Sequence, residues 1–239
     1  MTDRADTHPG PRDRILDAAL RIAPFEGWSR RTLLRAARDA GLTQGAADLY
    51  FPDGELGLIR YWHQRTLAAL EAGIATRGLA NMRIRDRVRE GVLLAMETIG
   101  ADETALRRAM SRMSLPDAAG QAPRQAWEVA DTIWRGIGDS STDFNYYTKR
   151  AILAGVVTST LVAWLGDADP DKASARAHLD RRLDNVLQFE KVKARARQVR
   201  SVLPNPAEAL GRLRYGLSGA GGMPGLRSPS TKSRRRRSR

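Results

Sequence analysis

Three histidines, no cysteine and no recognisable catalytic triplet set the chemical limits of this 239-residue chain. His8, His63 and His178 lie too far apart for a local metal-ligand spacing, and without cysteine there are no disulfides, thiolate zinc sites or cysteine nucleophiles. Asp, Glu and Ser are plentiful, yet no HExxH, ExxH, GxSxG or glycine-rich phosphate loop occurs. Pairs such as Asp102 and Glu103 read as N-terminal charges of a helix, favourable to its dipole. These residue types point to no catalytic site, no metal site, no cofactor and no enzyme. What is unusual lies in GDSSTDFNYYTKR (Gly138 to Arg150), where Phe144, Tyr146 and Tyr147 crowd into one turn. The Ser/Thr/Asp run caps a helix. Aromatics that close together point in different directions, so at least one projects from the surface as a protein-contact residue.

The elements that position these side chains are helices. Apolar residues recur at three and four throughout, with no sustained β alternation, so the chain reads as all-α with about nine to ten helices. Pro11 opens a helix through about Ala23, broken by PFEGWS. A second helix ends at Gly41, and Thr43 caps a third that ends near Tyr50. A long helix follows from Asp53 to about Arg77. Further helices are expected from Arg83 to Ile99, from Asp102 to about Ser114, from around Pro123 to Gly138, and from about Phe144 to Gly166. The last of these contains the uncharged run Ala151 to Gly166, which at 1.5 Å per residue spans about 24 Å and reads as a buried core helix. Asp169 before Pro170 is the expected N-cap of a final long helix reaching about Val202.

This pattern predicts residues 1–11 as a disordered start, 12–52 as a helix-turn-helix-like unit and 53–203 as a larger helical domain. A short amphipathic helix over 204–218 and a basic tail over 219–239 complete the chain. Lys and Arg number 40 against 27 Asp and Glu, a net +13, but seven of the cations and none of the acids lie in 219–239, leaving a body of +6. The N-terminus has no apolar stretch of the secretory kind and no Arg-rich amphipathic transit pattern. Cytoplasmic residence, with peripheral association at the inner face of the cell membrane, is the expectation. In the 204–218 helix, Leu210, Leu213 and Leu217 share one face flanked by Arg212 and Arg214, the pattern of a helix lying in a membrane interface.

Two resemblances add to this. The segment from Arg14 to Trp62 is similar to the N-terminal domain of the TetR family in helix spacing, including the FP turn before the long helix. The TetR pattern has Lys, Tyr and His where this chain has Gln44, Asp48 and Tyr50, and Asp48 places a carboxylate where phosphate contacts belong. A TetR-type ligand-responsive DNA-binding regulator is therefore the alternative reading, with specific DNA not expected as a partner. From PFEGW to LDNVLQFEKVKA, including IWRGIGD and GDSSTDFNYYTKR, the chain resembles the accessory family of coenzyme Q biosynthesis, the ninth Coq protein. That resemblance implies a non-catalytic, TetR-like fold that binds an isoprenoid lipid or ubiquinone precursor and presents it to the di-iron demethoxyubiquinone hydroxylase. It places the hydroxylase on a patch matching Ile133, Asp143, Tyr146 and Tyr147, and the membrane element on the C-terminal amphipathic helix. The first and third of these depart from the Met and Trp of the eukaryotic pattern, and Val157 stands where an aromatic is common. Trp127, Trp134, Leu161 and Trp164, at helical spacing on consecutive helices, are the expected wall of the lipid cavity. The expected partners are thus the lipid, a ubiquinone-pathway hydroxylase, an anionic membrane surface and a second copy of the chain as a homodimer.

Overall fold

In the computed structural model, residues 9–139 and 144–186 are described, and among them every regular element is helical. The chain divides into two units, Met1–Leu187 and Gln188–Arg239, and all described residues fall in the first. The helices are α1 (Pro11–Glu26), α2 (Arg30–Asp39), α3 (Gln44–Tyr50), α4 (Gly54–Thr76), α5 (Ile84–Ile99), α6 (Glu103–Met113), α7 (Gln121–Gly136), α8 (Phe144–Gly166) and α9 (173–186). The expected segments 1–8, 187–203, 204–218 and 219–239 lie outside the described residues.

Local signals set most boundaries. Ser29 accepts a hydrogen bond from the Thr32 amide and caps α2, and Thr43 does the same for Ala46 at α3. Gly41, at φ +73°, closes α2 in a Schellman turn, with Leu42 N–H donating to the Ala37 carbonyl and Gly41 N–H to that of Arg38. Two boundaries differ from the sequence reading. Pro24 does not break α1, which runs on through Glu26 and stops where Gly27 adopts φ +74°. Pro170 does not open α9 either. Lys172 takes a left-handed backbone at φ 53°, and helix begins at 173. There the Asp167 carboxylate accepts hydrogen bonds from the Asp169 and Ala175 amides, which hold it below the ordinary carboxylate pKa.

Two apolar cores share the long helix α4. Its first half sends Leu58 and Ile59 into a core with α1, α2, α3 and α6, centred on Leu16, Leu33 and Phe51. Its second half sends Leu70 and Ile74 into a core with α5, α7, α8 and α9, centred on Met96, Ile133 and Leu179. The sequence reading placed everything after residue 52 in one domain, but α6 packs with the N-terminal helices, where Trp28 Nε1 donates to the Ala105 carbonyl at 2.9 Å. Trp28 also stacks on Trp62 at 5.4 Å between ring centroids. In α8 only one face is buried, through Leu153, Val156, Val157, Thr160 and Trp164. That face packs in the second core, as expected of a core helix, while the other face is open, with Val162 exposed. Residues 145–166 are also long and apolar enough, by length and composition alone, to cross a membrane.

Candidate partner surface and ligand cavity

The C-terminal end of α7, the turn behind it and the first turns of α8 carry the crowded aromatics. Tyr147 is 62% exposed, its ring edge-on to Tyr146 at 5.1 Å and tilted against Trp127 at 6.3 Å. Tyr146 is half-buried, and its hydroxyl lies 3.2 Å from Asp131 Oδ1. Behind the rings, Arg150 is 1% exposed. Its Nε donates to Asp131 Oδ1 at 2.5 Å and its Nη1 to Asp139 Oδ2 at 3.2 Å and to the Tyr146 carbonyl at 3.3 Å. Its guanidinium sits 3.5 Å from the Tyr146 ring centroid. Lys149 Nζ completes the group with Asp139 at 2.7 Å.

Burial alone pushes the Asp131 carboxyl up, but the Arg150 hydrogen bond and the charges of Arg135 and Arg150 outweigh it and hold the group below its ordinary value. Burial likewise pulls the Arg150 guanidinium down, and its bonds to Asp131 and Asp139 more than reverse that. The result is a charge network beneath the half-buried Tyr146 and the exposed Tyr147.

Of the residues expected on this surface, Tyr146 and Tyr147 are brought together, and Asp143 lies outside the described residues. Ile133 is placed elsewhere. It is fully buried, and a Cβ added at Gly91 of α5 would lie 2.7 Å from its Cγ2, so it is a helix-packing residue rather than part of an open patch. Trp127 takes its place beside Tyr147. Asp131, Asp139 and Arg150 were not singled out from the sequence, because a charged side chain is ordinarily solvated and nothing local marks this arginine as buried.

Of the residues expected to line a lipid cavity, Trp134, Leu161 and Trp164 lie in or against the second core. Trp164 is buried in the second core, close against Gly100, with Lys172 and Arg176 over its ring. Trp134 is half-buried and donates through Nε1 to the Lys149 carbonyl at 3.2 Å, and Leu161 packs against the same core. An apolar cavity does occur, between α4, α6 and α7, lined by Ile59, Trp62, His63, Leu106, Met113 and Gln125 among others. Its volume is about 40 Å³. His63 on its wall is held by Glu128, Nε2 to Oε2 at 3.0 Å. Burial lowers the imidazole pKa, opposed by Glu128 but not cancelled. A larger cleft of about 630 Å³ opens next to it between Asp53, Arg60, Gln64, Asp117, Gln121 and Arg124, and is predominantly polar. On α3, Asp48 is paired with Arg30 of α2 at 3.0 Å, which turns the carboxylate toward the body's own cation.

Residues 119–190, which contain the aromatic pair and its charge network, match the family model described as COQ9. The chain is 31% identical over 195 residues to "Ubiquinone biosynthesis protein COQ9, mitochondrial" of Rattus norvegicus, a match covering 79% of this chain and 61% of that protein. The Homo sapiens protein of the same name is 30% identical over 194 residues, covering 79% and 60%. The chain therefore spans about 60% of the length of these curated relatives. Among solved structures it is similar to the TetR transcriptional regulator from Nitrosomonas europaea ATCC 19718, with a TM-score of 0.58 and 17% identity over 72% of this chain and 95% of that one. That likeness concerns the fold alone.

Proposed function

We propose, from its similarity to the COQ9 proteins, that this chain serves ubiquinone biosynthesis as a non-catalytic accessory protein. In this reading it binds an isoprenoid ubiquinone precursor and presents it, at the membrane surface, to the demethoxyubiquinone hydroxylase. The observation that carries the reading is the exposed Tyr147 beside Trp127, inside the segment that matches COQ9 and braced from behind by buried charges. An aromatic side chain held rigidly at the surface loses little entropy on docking, which is why such residues dominate binding energy at interfaces.

The lipid is assigned to the apolar cavity between α4, α6 and α7 rather than to Trp127, Trp134, Leu161 and Trp164. At about 40 Å³ the space holds about one water, so an isoprenoid enters only as the helices part. Gln125 and His63 give the cavity polar groups that meet a quinone-ring oxygen. Membrane contact is assigned to Leu210, Arg212, Leu213, Arg214 and Leu217, on their sequence pattern and outside the described residues.

The test is titration of the full chain against the hydroxylase of the same source. Tyr147→Ala is expected to weaken binding by about 1 to 3 kcal/mol with helicity and thermal midpoint nearly unchanged. Unchanged affinity would remove the docking reading. Mass spectrometry of lipids co-purifying with the native chain tests the ligand, and the lipid reading stands on an isoprenoid quinone precursor being found.

A further inference from the structure

We propose that Arg150 is a positioning residue for this surface, a buried guanidinium that clamps Asp131, Asp139 and the Tyr146 ring so that Tyr147 is held outward beside Trp127. The inference rests on the docking reading and adds to it the residue that sets the geometry of the surface.

The argument follows the contacts outward. Arg150 is among the largest fully buried side chains, yet its polar atoms are not spent inside either apolar core. They reach Asp131 on α7, Asp139 in the turn behind it and the Tyr146 carbonyl on α8. All three lie within the stretch of chain from Asp131 to Tyr146, next to the exposed Tyr147. The guanidinium plane covers the Tyr146 ring at 3.5 Å, while Asp131 Oδ1 accepts from the Tyr146 hydroxyl at 3.2 Å, so one cation and its counter-ion grip that ring by face and by tip. Tyr146 in turn meets Tyr147 edge-on at 5.1 Å, and Tyr147 meets Trp127 at 6.3 Å. Only a planar fork with several donors satisfies this set. A lysine at 150 keeps the charge but delivers it as a point, without the lid over the ring or the simultaneous bonds to two carboxylates. Loss of the clamp frees the Tyr146 ring and with it the support of Tyr147, although Arg150 itself is too deeply buried to touch a partner.

The experiment is a double-mutant cycle in the full chain, read as affinity for the hydroxylase. Arg150→Lys is expected to weaken binding roughly tenfold, and Arg150→Lys combined with Tyr147→Ala is expected to bind no worse than Tyr147→Ala alone, because both act through the same ring. A merely structural role gives losses that multiply in the double variant. Full affinity in Arg150→Lys, or multiplied losses, would overturn the proposal while leaving the docking surface in place. No loss in Tyr147→Ala alone would instead overturn the docking reading. Where circular dichroism shows Arg150→Lys unfolded, Asp131→Asn replaces it in the cycle, since its partly exposed side chain grips the same guanidinium and the same tyrosine hydroxyl.

Discussion

Arg150 and His63 are both packed against carboxylates, and the groups there that answer to pH, Asp131 and His63, do so in different windows. A charge at 1% exposure persists because Asp131 and Asp139 meet it, and removal of Asp139 leaves Asp131 as its remaining carboxylate while also taking a counter-ion from Lys149. Asp139→Ala is therefore expected to lower unfolding free energy by about 1 to 3 kcal/mol, measured by urea denaturation. Because the Asp131 pKa is depressed, its stabilising contribution is present above the ordinary Asp pKa and is lost only as pH falls through the lower folded value. His63 behaves otherwise. Its folded pKa is also lowered, but here the protonated form is the charged one, so the unfolded chain takes up the proton first. Stability should start to fall as pH drops below about 6.5 and level off once the folded value is passed. A thermal midpoint followed from pH 7.5 to 5.0 should be flatter in His63→Gln than in the parent chain. An equal slope in the two would mean that other groups carry the acid sensitivity. At this scale the exposed Tyr147 was legible, since aromatics crowded into one turn cannot all point inward. Ile133 was not. It shares α7 with Trp127, Ala130 and Trp134, and a 3.6-residue period does not say which shoulder of the apolar stripe faces the core and which faces water.

Helices themselves were legible where caps are local and illegible where packing decides. Thr43, Ser29 and Gly41 act within three to five residues of their own position, so the helix-turn-helix spacing followed from the sequence. The fate of α6 depended on Trp28 finding the Ala105 carbonyl 77 positions away, which no window of sequence contains. Close helix contacts are equally nonlocal. Gly91 of α5 faces Ile133 of α7, where an added Cβ meets a β-branched methyl at 2.7 Å that cannot swing aside without leaving its rotamer. Gly91→Ala gains about 1 kcal/mol of helix propensity but pushes the helices apart, a cost of about 1 to 3 kcal/mol, so the net change should be destabilising by about 1 kcal/mol. Chemical denaturation decides the sign, and a stabilised variant would show that α5 and α7 part freely. On α3, the Asp48 carboxylate is engaged by Arg30 and Gln44 is exposed, while the helix itself holds no Lys or Arg. A chain ending at Leu203 should then show no sequence-specific retention of operator DNA at near-physiological salt. Specific retention would restore the regulator reading.

On the scale of the whole molecule, charge and apolar surface are distributed between the helical body and the chain that follows it. The two cores sharing α4 bury most large apolar side chains of the described residues, and among those left open are Phe25, Leu49, Tyr147 and Val162, on α1, α3 and α8. Met82, Ile84 and Leu115 of the body are exposed as well. Beyond it, Leu210, Leu213 and Leu217 repeat at helical spacing and are followed by seven cations with no acid after residue 218. Full burial of a leucine side chain contributes roughly 1.5 to 3 kcal/mol, and partial insertion of three gives only reversible binding. Each cation near an anionic surface adds about 1 kcal/mol, a contribution that decays within a Debye length and so weakens with salt. Stable attachment at physiological salt needs both terms. In liposome flotation the full chain should bind anionic vesicles, bind neutral ones scarcely at all, and lose binding in high salt. It should lose it again when Leu213 and Leu217 are changed to Ser, because the cations alone hold the chain near the surface without inserting it. Equal flotation of a chain ending at Leu203 would transfer the contact to the body, and the exposed face of α8 around Val162 would then be the place to look.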